Sequence, residues 1–455
     1  MLEIFRLILA LALSIGVGYC VFISIFKSDA FALYFKLALS YLLGVGAIVF
    51  SMFLLGLAGI GFNFFSPLLL CLPFCIFALV RKRPKFKSSL DLSVLRSLNF
   101  WEISLVVLIA LRLVYIFSQA LLIPIYSWDA FATWAYRAKV FYFDGLMDFS
   151  KGANSYPHTS YPNLIPLLEC WLYNAMGIFD DRLVKIIFPL FYTSFIVVFY
   201  FFLRRFSERI YGLLGVYLLS TMPFLTFHST ISYSDMPLMT YNILSIMALV
   251  LWIESKENPY LILGGIAAGL AAFTKLEGTA YMFILIALLF LYILKTKLFD
   301  KNKPSFSIMS FCAFLVPACV IGLPYTIYKK AMGIANERLP IDFSVESLKR
   351  IPDIIRHFNH SMFFVGNWNL IWFMLAVAIL FNLKRLREQK IAFLLITLCA
   401  YLALYFSLFL LTKNYEFLSP GTLLNRSFLQ FIPLSVLIII ATFFKPRPDP
   451  KKITR

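Results

Sequence analysis

Asp129, Asp235, Lys275, Glu277 and Arg426 are charges set against long apolar stretches, and their surroundings decide what chemistry is open to them. Asp129 follows Trp128 and precedes an aromatic segment. It either caps a helix, with Ser127 or its own carboxylate accepting from first-turn N–H groups, or serves as a general base. A carboxylate at an apolar interface is partly desolvated, which raises its pKa and suits proton abstraction. Asp235, in Ser-Tyr-Ser-Asp-Met-Pro-Leu, has the same two readings, with Pro237 placed in a first helical turn. Lys275 and Glu277, in Phe-Thr-Lys-Leu-Glu-Gly, either pair with each other at a helix end or mark a functional site. A charge at the centre of a membrane helix costs about 2.5–3.5 kcal/mol on insertion scales.

His158 and Tyr161 lie in the rigid turn Tyr-Pro-His-Thr-Ser-Tyr-Pro-Asn-Leu. His357 and His360 form an i, i+3 pair, but no carboxylate follows at ligand spacing, so neither a metal nor another cofactor is expected. Cys71 and Cys75 share a helix face without further ligands and read as small core residues. The sequence contains no G-x-x-x-x-G-K-[ST] phosphate loop, no H-E-x-x-H, no G-x-S-x-G and no D-x-D pair. A cytoplasmic nucleotide-driven mechanism therefore has no support, whereas a substrate delivered within the membrane remains.

The elements that must position these residues follow from composition. Of 455 residues 61% are hydrophobic and 14% charged, with a mean hydropathy of +0.84. A soluble domain is about 45–50% apolar and about 25% charged, so soluble enzymes, secreted disulfide scaffolds and disordered chains are excluded. Apolar blocks run at about 4–26, 31–57, 61–80, 102–123, 183–203, 210–228, 236–254, 260–274, 278–294, 306–328, 363–381, 391–411 and 426–444. Each is of the order of the 20 or so residues that a helix needs to cross the hydrocarbon. The fold class expected is an all-α polytopic membrane protein with about thirteen spans. The first block is read as a retained helix rather than a signal peptide, since no cleavage motif follows it.

The net charge of +18 would suit nucleic acid or another anionic partner. Its placement argues otherwise, because Lys and Arg cluster in short loops: 81–97, Arg204-Arg205, 295–303, 384–390 and the tail from Lys445. All lie on one side if every block spans, and the positive-inside rule makes that side cytoplasmic. Nucleic acid is not expected as a partner. Loops 124–182, 329–362 and 412–425 then face outward, which makes Arg426 an outer cation running against the charge trend. The organisation expected is accessory helices and a basic loop over 1–100, a catalytic module over 101–300 and a C-terminal membrane module over 301–455. In the first outer loop Phe131, Trp134, Ala135, Ala138 and Tyr142 repeat at helical spacing, with Arg137 and Lys139 off that stripe. Such helices lie in the headgroup plane, and Leu164 to Phe179 is a second candidate.

Four motifs in this order resemble the GT-C membrane glycosyltransferases that use polyprenyl-phosphate sugars, in particular protein O-mannosyltransferases (glycosyltransferase family 39) and lipid A aminoarabinose transferases. They are Tyr126-Ser-Trp-Asp-Ala, His158-Thr-Ser-Tyr-Pro-Asn-Leu, Ser234-Asp-Met-Pro-Leu and Gly265-Ile-Ala-Ala-Gly-Leu-Ala-Ala-Phe-Thr-Lys-Leu-Glu-Gly, with Asn425-Arg426 a weaker echo. The resemblance covers about residues 101–295. It implies an inverting sugar transfer to a hydroxyl at the outer membrane face, with Asp129 as the catalytic base. Substrate-binding candidates are Arg137, Lys139, His158, Tyr161, Asp235, Lys275, Glu277 and Arg426. Lys139, Lys275 and Arg426 would neutralise the lipid phosphate. The implied partners are a polyprenyl-phosphate sugar donor, a glycan, lipid or protein acceptor, and the bilayer of the cell membrane. The rival readings are a lipid-linked oligosaccharide transporter or flippase, which would favour inverted repeats and mid-membrane polar residues, and a polysaccharide polymerase or ligase.

Overall fold

The computed structural model describes residues 1–27, 31–82, 97–147, 158–299, 308–334, 341–419 and 421–444. Every regular element among them is helical, with no strand. The basic segments 83–96, 300–307 and 445–455, which carry much of the charge asymmetry, lie outside the described residues.

Eight of the apolar blocks form helices long and apolar enough to span a membrane: Leu2–Ile25, Leu33–Leu57, Phe100–Leu122, Leu183–Leu203, Asp235–Ser255, Leu276–Thr296, Ile308–Ala331 and Gln389–Leu411. The chain is a multi-pass membrane protein. The other blocks take shorter or bent forms. Block 426–444 becomes Thr422–Leu429 and Ile432–Phe443, bent by 43°. Block 210–228 breaks into Arg209–Ser220 and Pro223–His228, with Pro223 opening the second piece. Block 260–274 becomes Asn258–Thr274 and block 363–381 shortens to Ile371–Phe381. Block 61–80 becomes Ser66–Lys82, with Pro73 inside it.

The described chain forms two compact units. The first comprises Met1–Ser220 with Thr226–Pro237, and the second Thr221–Leu225 with the residues from Leu238 on. This division falls within the segment 101–300.

In the first unit Leu2–Ile25 and Leu33–Leu57 approach with glycine on both sides. A Cβ at Gly18 would sit 1.7 Å from the Ser40 carbonyl oxygen, and one at Gly44 equally close to that of Ser14. Small residues let backbones touch where lipid supplies no hydrophobic drive between helices. Phe100–Leu122 opens with a capping box, Asn99 accepting from Glu102 N at 2.9 Å and Glu102 Oε2 from Asn99 N at 3.0 Å. Glu102 then takes Arg209 Nε at 2.8 Å, and Arg209 also reaches Ser97. Loops expected on one side of the membrane thus meet each other within this unit. At the opposite end Phe62 N donates to the Gly145 carbonyl and Arg6 to that of Met176, at 3.3 Å.

The second unit obeys the same sorting. Lys390 meets Glu254 at 3.3 Å and Arg385 binds the Thr442 and Phe444 carbonyls at one end. Asp353 accepts from Tyr415 at 2.9 Å, and Arg350 binds the Leu410 carbonyl, at the other. Asn258–Thr274 and Ile308–Gly322 pack through Gly265, where a Cβ would fall 2.2 Å from the Phe314 carbonyl oxygen.

Candidate functional site

The first long loop is built in two layers. Trp128 and Asp129 start its first helix, with the Ser127 carbonyl accepting from Phe131 N at 2.9 Å. Ala130–Trp134 is then a π-turn, followed by α-helix over Ala135–Asp144. The extra residue per turn of a π-bulge rotates everything after it by roughly one residue, about 100°. That rotation corrects the expected stripe. Trp134, Ala135 and Ala138 face inward as expected, but Arg137 joins them at 0% exposure, while Phe131 is exposed and Lys139 stays outside. Trp128 and Phe131, with ring centroids 6.4 Å apart, project outward as interfacial aromatics do.

The second layer, Leu164–Met176, is not a surface helix. Every residue but Asn174 is buried, against Ala135–Asp144 and the two leading helices. Trp171 donates to the Phe64 carbonyl at 3.0 Å and stacks on Phe64. The leading helices, almost devoid of polar chemistry, therefore hold the loop.

Pro124, Ile125, Tyr126, Ser127, Ala130, Lys185, Ile231 and Ser232 line a crevice too narrow to admit a whole water molecule. Asp129 stands between two of the lining residues, Ser127 and Ala130, half-buried and without a side-chain capping bond. Lys185 is 1% exposed, and its Nζ has only a long 3.5 Å contact to the Pro124 carbonyl. Ser232 donates its hydroxyl to Glu169 Oε1, and Glu169 Oε2 is buried without a partner. Full burial lifts the Glu169 carboxyl to about 8, against smaller lowering effects from Ser232 and Lys185.

Other candidates lie in the same unit. Asp235, fully buried, opens its helix three residues after Ser232. Arg137 donates to the His158 carbonyl at 3.4 Å and the Tyr161 carbonyl at 3.0 Å, so its guanidinium holds the 158–161 turn. His158 has φ +54°, and its ring meets that of Tyr161, which in turn meets Trp134 edge-on at 5.5 Å. Lys139 lies over the Phe179 ring at 5.1 Å. Asp181 nearby is raised by burial, partly offset by Lys139.

Lys275, Glu277 and Arg426 belong to the second unit. Lys275 Nζ and Glu277 Oε1 are 3.1 Å apart, which realises the mutual ion pair. Arg426 is half-buried in Thr422–Leu429, where its carbonyl accepts from Gln430. His357 is half-buried and His360 exposed on Ile351–Phe363. Among the described residues no three His, Cys, Asp or Glu side chains gather as a metal site.

Glu169 and Lys185 were not among the sequence candidates, though each carried a signal. Glu169 is the one charge in the apolar run Leu-Ile-Pro-Leu-Leu-Glu-Cys-Trp-Leu. Lys185 is, like Arg426, a cation opening a span on the expected outer side.

Residues 166–321 match the family described as dolichyl-phosphate-mannose-protein mannosyltransferase. The match supports the GT-C glycosyltransferase superfamily and indicates a membrane glycosyltransferase that uses a lipid-linked sugar. It covers Glu169, Lys185, Asp235, Lys275 and Glu277, and begins downstream of Asp129. No curated protein and no solved structure matches the chain.

Proposed function

We propose that this protein is an inverting glycosyltransferase that moves a hexosyl or pentosyl group from a polyprenyl-phosphate donor to a hydroxyl acceptor at the outer face of the cell membrane. The observation that carries the reading is the crevice. It joins the Asp129 turn to Lys185 and Ser232, and these two lie inside the segment that matches the mannosyltransferase family.

In this reading the Asp129 carboxylate takes the proton of the acceptor hydroxyl as its oxygen attacks the anomeric carbon. The bond from that carbon to the lipid phosphate breaks, and the phosphate oxygen leaves with the electron pair. Inversion follows because attack and departure are on opposite faces of the sugar. Lys139 supplies positive charge for the phosphate. Arg137 shapes the turn that carries His158 and Tyr161 toward the substrates, and Asp235 positions the turn before its helix. The apolar spans hold the polyprenyl tail, so the reacting carbon is delivered with little freedom.

The test is transfer by the purified protein from a panel of polyprenyl-phosphate sugars, wild type against Asp129→Asn. Asn is nearly isosteric and caps helices about as well as Asp, so folding should survive. Removing a general base typically costs about 10²–10⁴-fold, and activity should fall at least by the lower figure. A folded Asp129→Asn protein with near-full transfer overturns the assignment.

A further inference from the structure

Residues 58–65, which join Leu33–Leu57 to Ser66–Lys82, lie against both layers of the first outer loop. Phe62 is buried and Phe64 half-buried, while Gly61, Asn63 and Phe65 beside them are exposed, the alternation of an extended chain. Gly59, at φ +68°, turns the chain out of the first of these helices. Asn63 Oδ1 accepts from Phe65 N at 2.9 Å and from Ser66 N at 2.8 Å, which caps the second. Both ends of this strap are thus anchored.

Its contacts fall on the two layers in turn. Phe62 N donates to the carbonyl of Gly145, the left-handed residue that ends Ala135–Asp144, so a carbonyl at that helix end is satisfied from outside the loop. The Phe62 ring meets Phe141 of the same helix edge-on, with centroids 6.2 Å apart. Gly56 makes room for it, since a Cβ there would lie 3.1 Å from Phe62 Cζ. Phe64 takes the second layer. Its carbonyl accepts from Trp171 Nε1 at 3.0 Å, and its ring stacks on the indole at 5.6 Å. The layers also touch each other through Tyr142 and Tyr173, with centroids 5.7 Å apart. All of these residues belong to the first unit, and the strap lies upstream of the segment that matches the mannosyltransferase family.

We propose that Phe62 and Phe64 are positioning residues for Asp129, because the strap fixes the far end of the helical element that Asp129 begins. That element runs from Asp129 through the π-turn to Gly145, about 24 Å at a rise of about 1.5 Å per residue. The chain itself ties the near end to Phe100–Leu122, and the strap supplies a second point that sets the element's direction. A change in direction of about 2–3° over that length shifts one end against the other by about 1 Å, and a misplacement of that size can cost about 10²-fold in rate. This inference rests on the proposed transferase reading for the role of Asp129 as base, but the hold itself is measured without transfer.

The test is transfer by detergent-purified full-length variants, with the polyprenyl-phosphate sugar that wild type uses best in the panel. Phe62→Ala and Phe64→Ala should each lower kcat about tenfold or more, with the donor KM within about twofold of wild type. Phe64→Tyr keeps a ring on Trp171 and should retain most of the rate. In the Asp129→Asn background neither alanine change should lower the residual rate, because the group they position is gone. A loss of folded protein would instead multiply into both backgrounds. Hydrogen exchange reads the hold directly: in Phe62→Ala the amides of 130–144 should exchange about tenfold faster, and those of Phe100–Leu122 as in wild type.

An unchanged kcat in either alanine variant, or an equal loss with and without the Asp129 carboxylate, overturns the proposal and leaves the transferase reading in place. Exchange over 130–144 that stays as in wild type overturns it too. If Phe62→Ala does not fold, Phe64→Ala, whose ring is only half-buried, decides by the same cycle and by exchange over 164–176. A wild-type protein that transfers nothing from the panel sinks the transferase reading, and the strap then stands or falls on exchange alone.

Discussion

Lys185 in the first unit and Lys275 in the second are both buried lysines beside apolar helices, 1% and 4% exposed. Their surroundings differ in one respect. Lys275 has Glu277 at 3.1 Å, two residues along the chain. Lys185 faces crevice residues and a distant carbonyl; of the two carboxyls whose charge bears on it, Asp181 has the larger effect and Glu169 is kept neutral. A buried charge needs an opposite charge or a ligand. Lys275 has its partner within the chain, so much of its charge is already spent. Lys185 has no carboxylate at ion-pair distance among the described residues, which makes it the stronger candidate to meet an anion from outside.

That contrast is broken or upheld first by stability. Removing one member of a buried pair strands the other and costs about 3–5 kcal/mol. Lys275→Met should therefore destabilise the protein by about that amount, toward the lower end because Glu277 keeps 20% of its side-chain exposure. Lys185→Met breaks no ion pair among the described residues and should leave the unfolding temperature unchanged or raised. Thermal unfolding of the two variants in one detergent checks this. Equal destabilisation of both would erase the distinction.

The next effect is the coupling inside the pair. If Lys275 acts chiefly through Glu277, the double variant Lys275→Gln with Glu277→Gln should recover stability and transfer lost in Lys275→Gln alone. Interaction energies between contacting residues run to about 0.5–3 kcal/mol, and about 2 is expected here. Strictly additive losses in a double-mutant cycle would return Lys275 to a direct role on the substrate.

Part of this was legible from the sequence, and physical reasons separate what was from what was not. The spans show because hydrocarbon thickness imposes a run of apolar residues. The one-sided charge shows because lysine and arginine concentrate in a few short loops. The inward turn of Arg137 does not show, because a π-turn changes the helical phase without a residue signature, and a stripe read at 3.6 residues per turn then points the wrong way. Glu169 and Lys185 show as single charges in apolar runs. What they do depends on Ser232, 63 positions further on, and one strand of text does not reveal such a pairing. The shortened helix Arg209–Ser220 likewise reflects the break before Pro223, which an average over apolar residues smooths away.

The smallest effect tests the premise on which the comparison turns, that Glu169 is neutral in the folded protein. Its folded carboxyl, at about 8, lies above the roughly 4.3 of an exposed glutamate. Between those values the unfolded chain has released a proton that the folded protein keeps. The folded state binds more protons, so stability falls as pH rises. The contribution is fully present below the unfolded value and is lost as pH climbs through the folded one. Glu169 is outside the spanning helices, and unfolding returns it to water, so the ordinary reference applies. Each pH unit inside the window is worth about 1 kcal/mol, and wild type should lose about that much between pH 6 and 7. Glu169→Gln keeps an acceptor for Ser232 and cannot ionise, so its stability should be flatter over the same unit by the same amount. Denaturant unfolding of both proteins at the two pH values gives the difference directly. Parallel slopes would mean that Glu169 is already charged when folded, and Lys185 would then have a charged carboxylate acting on it, as Lys275 does.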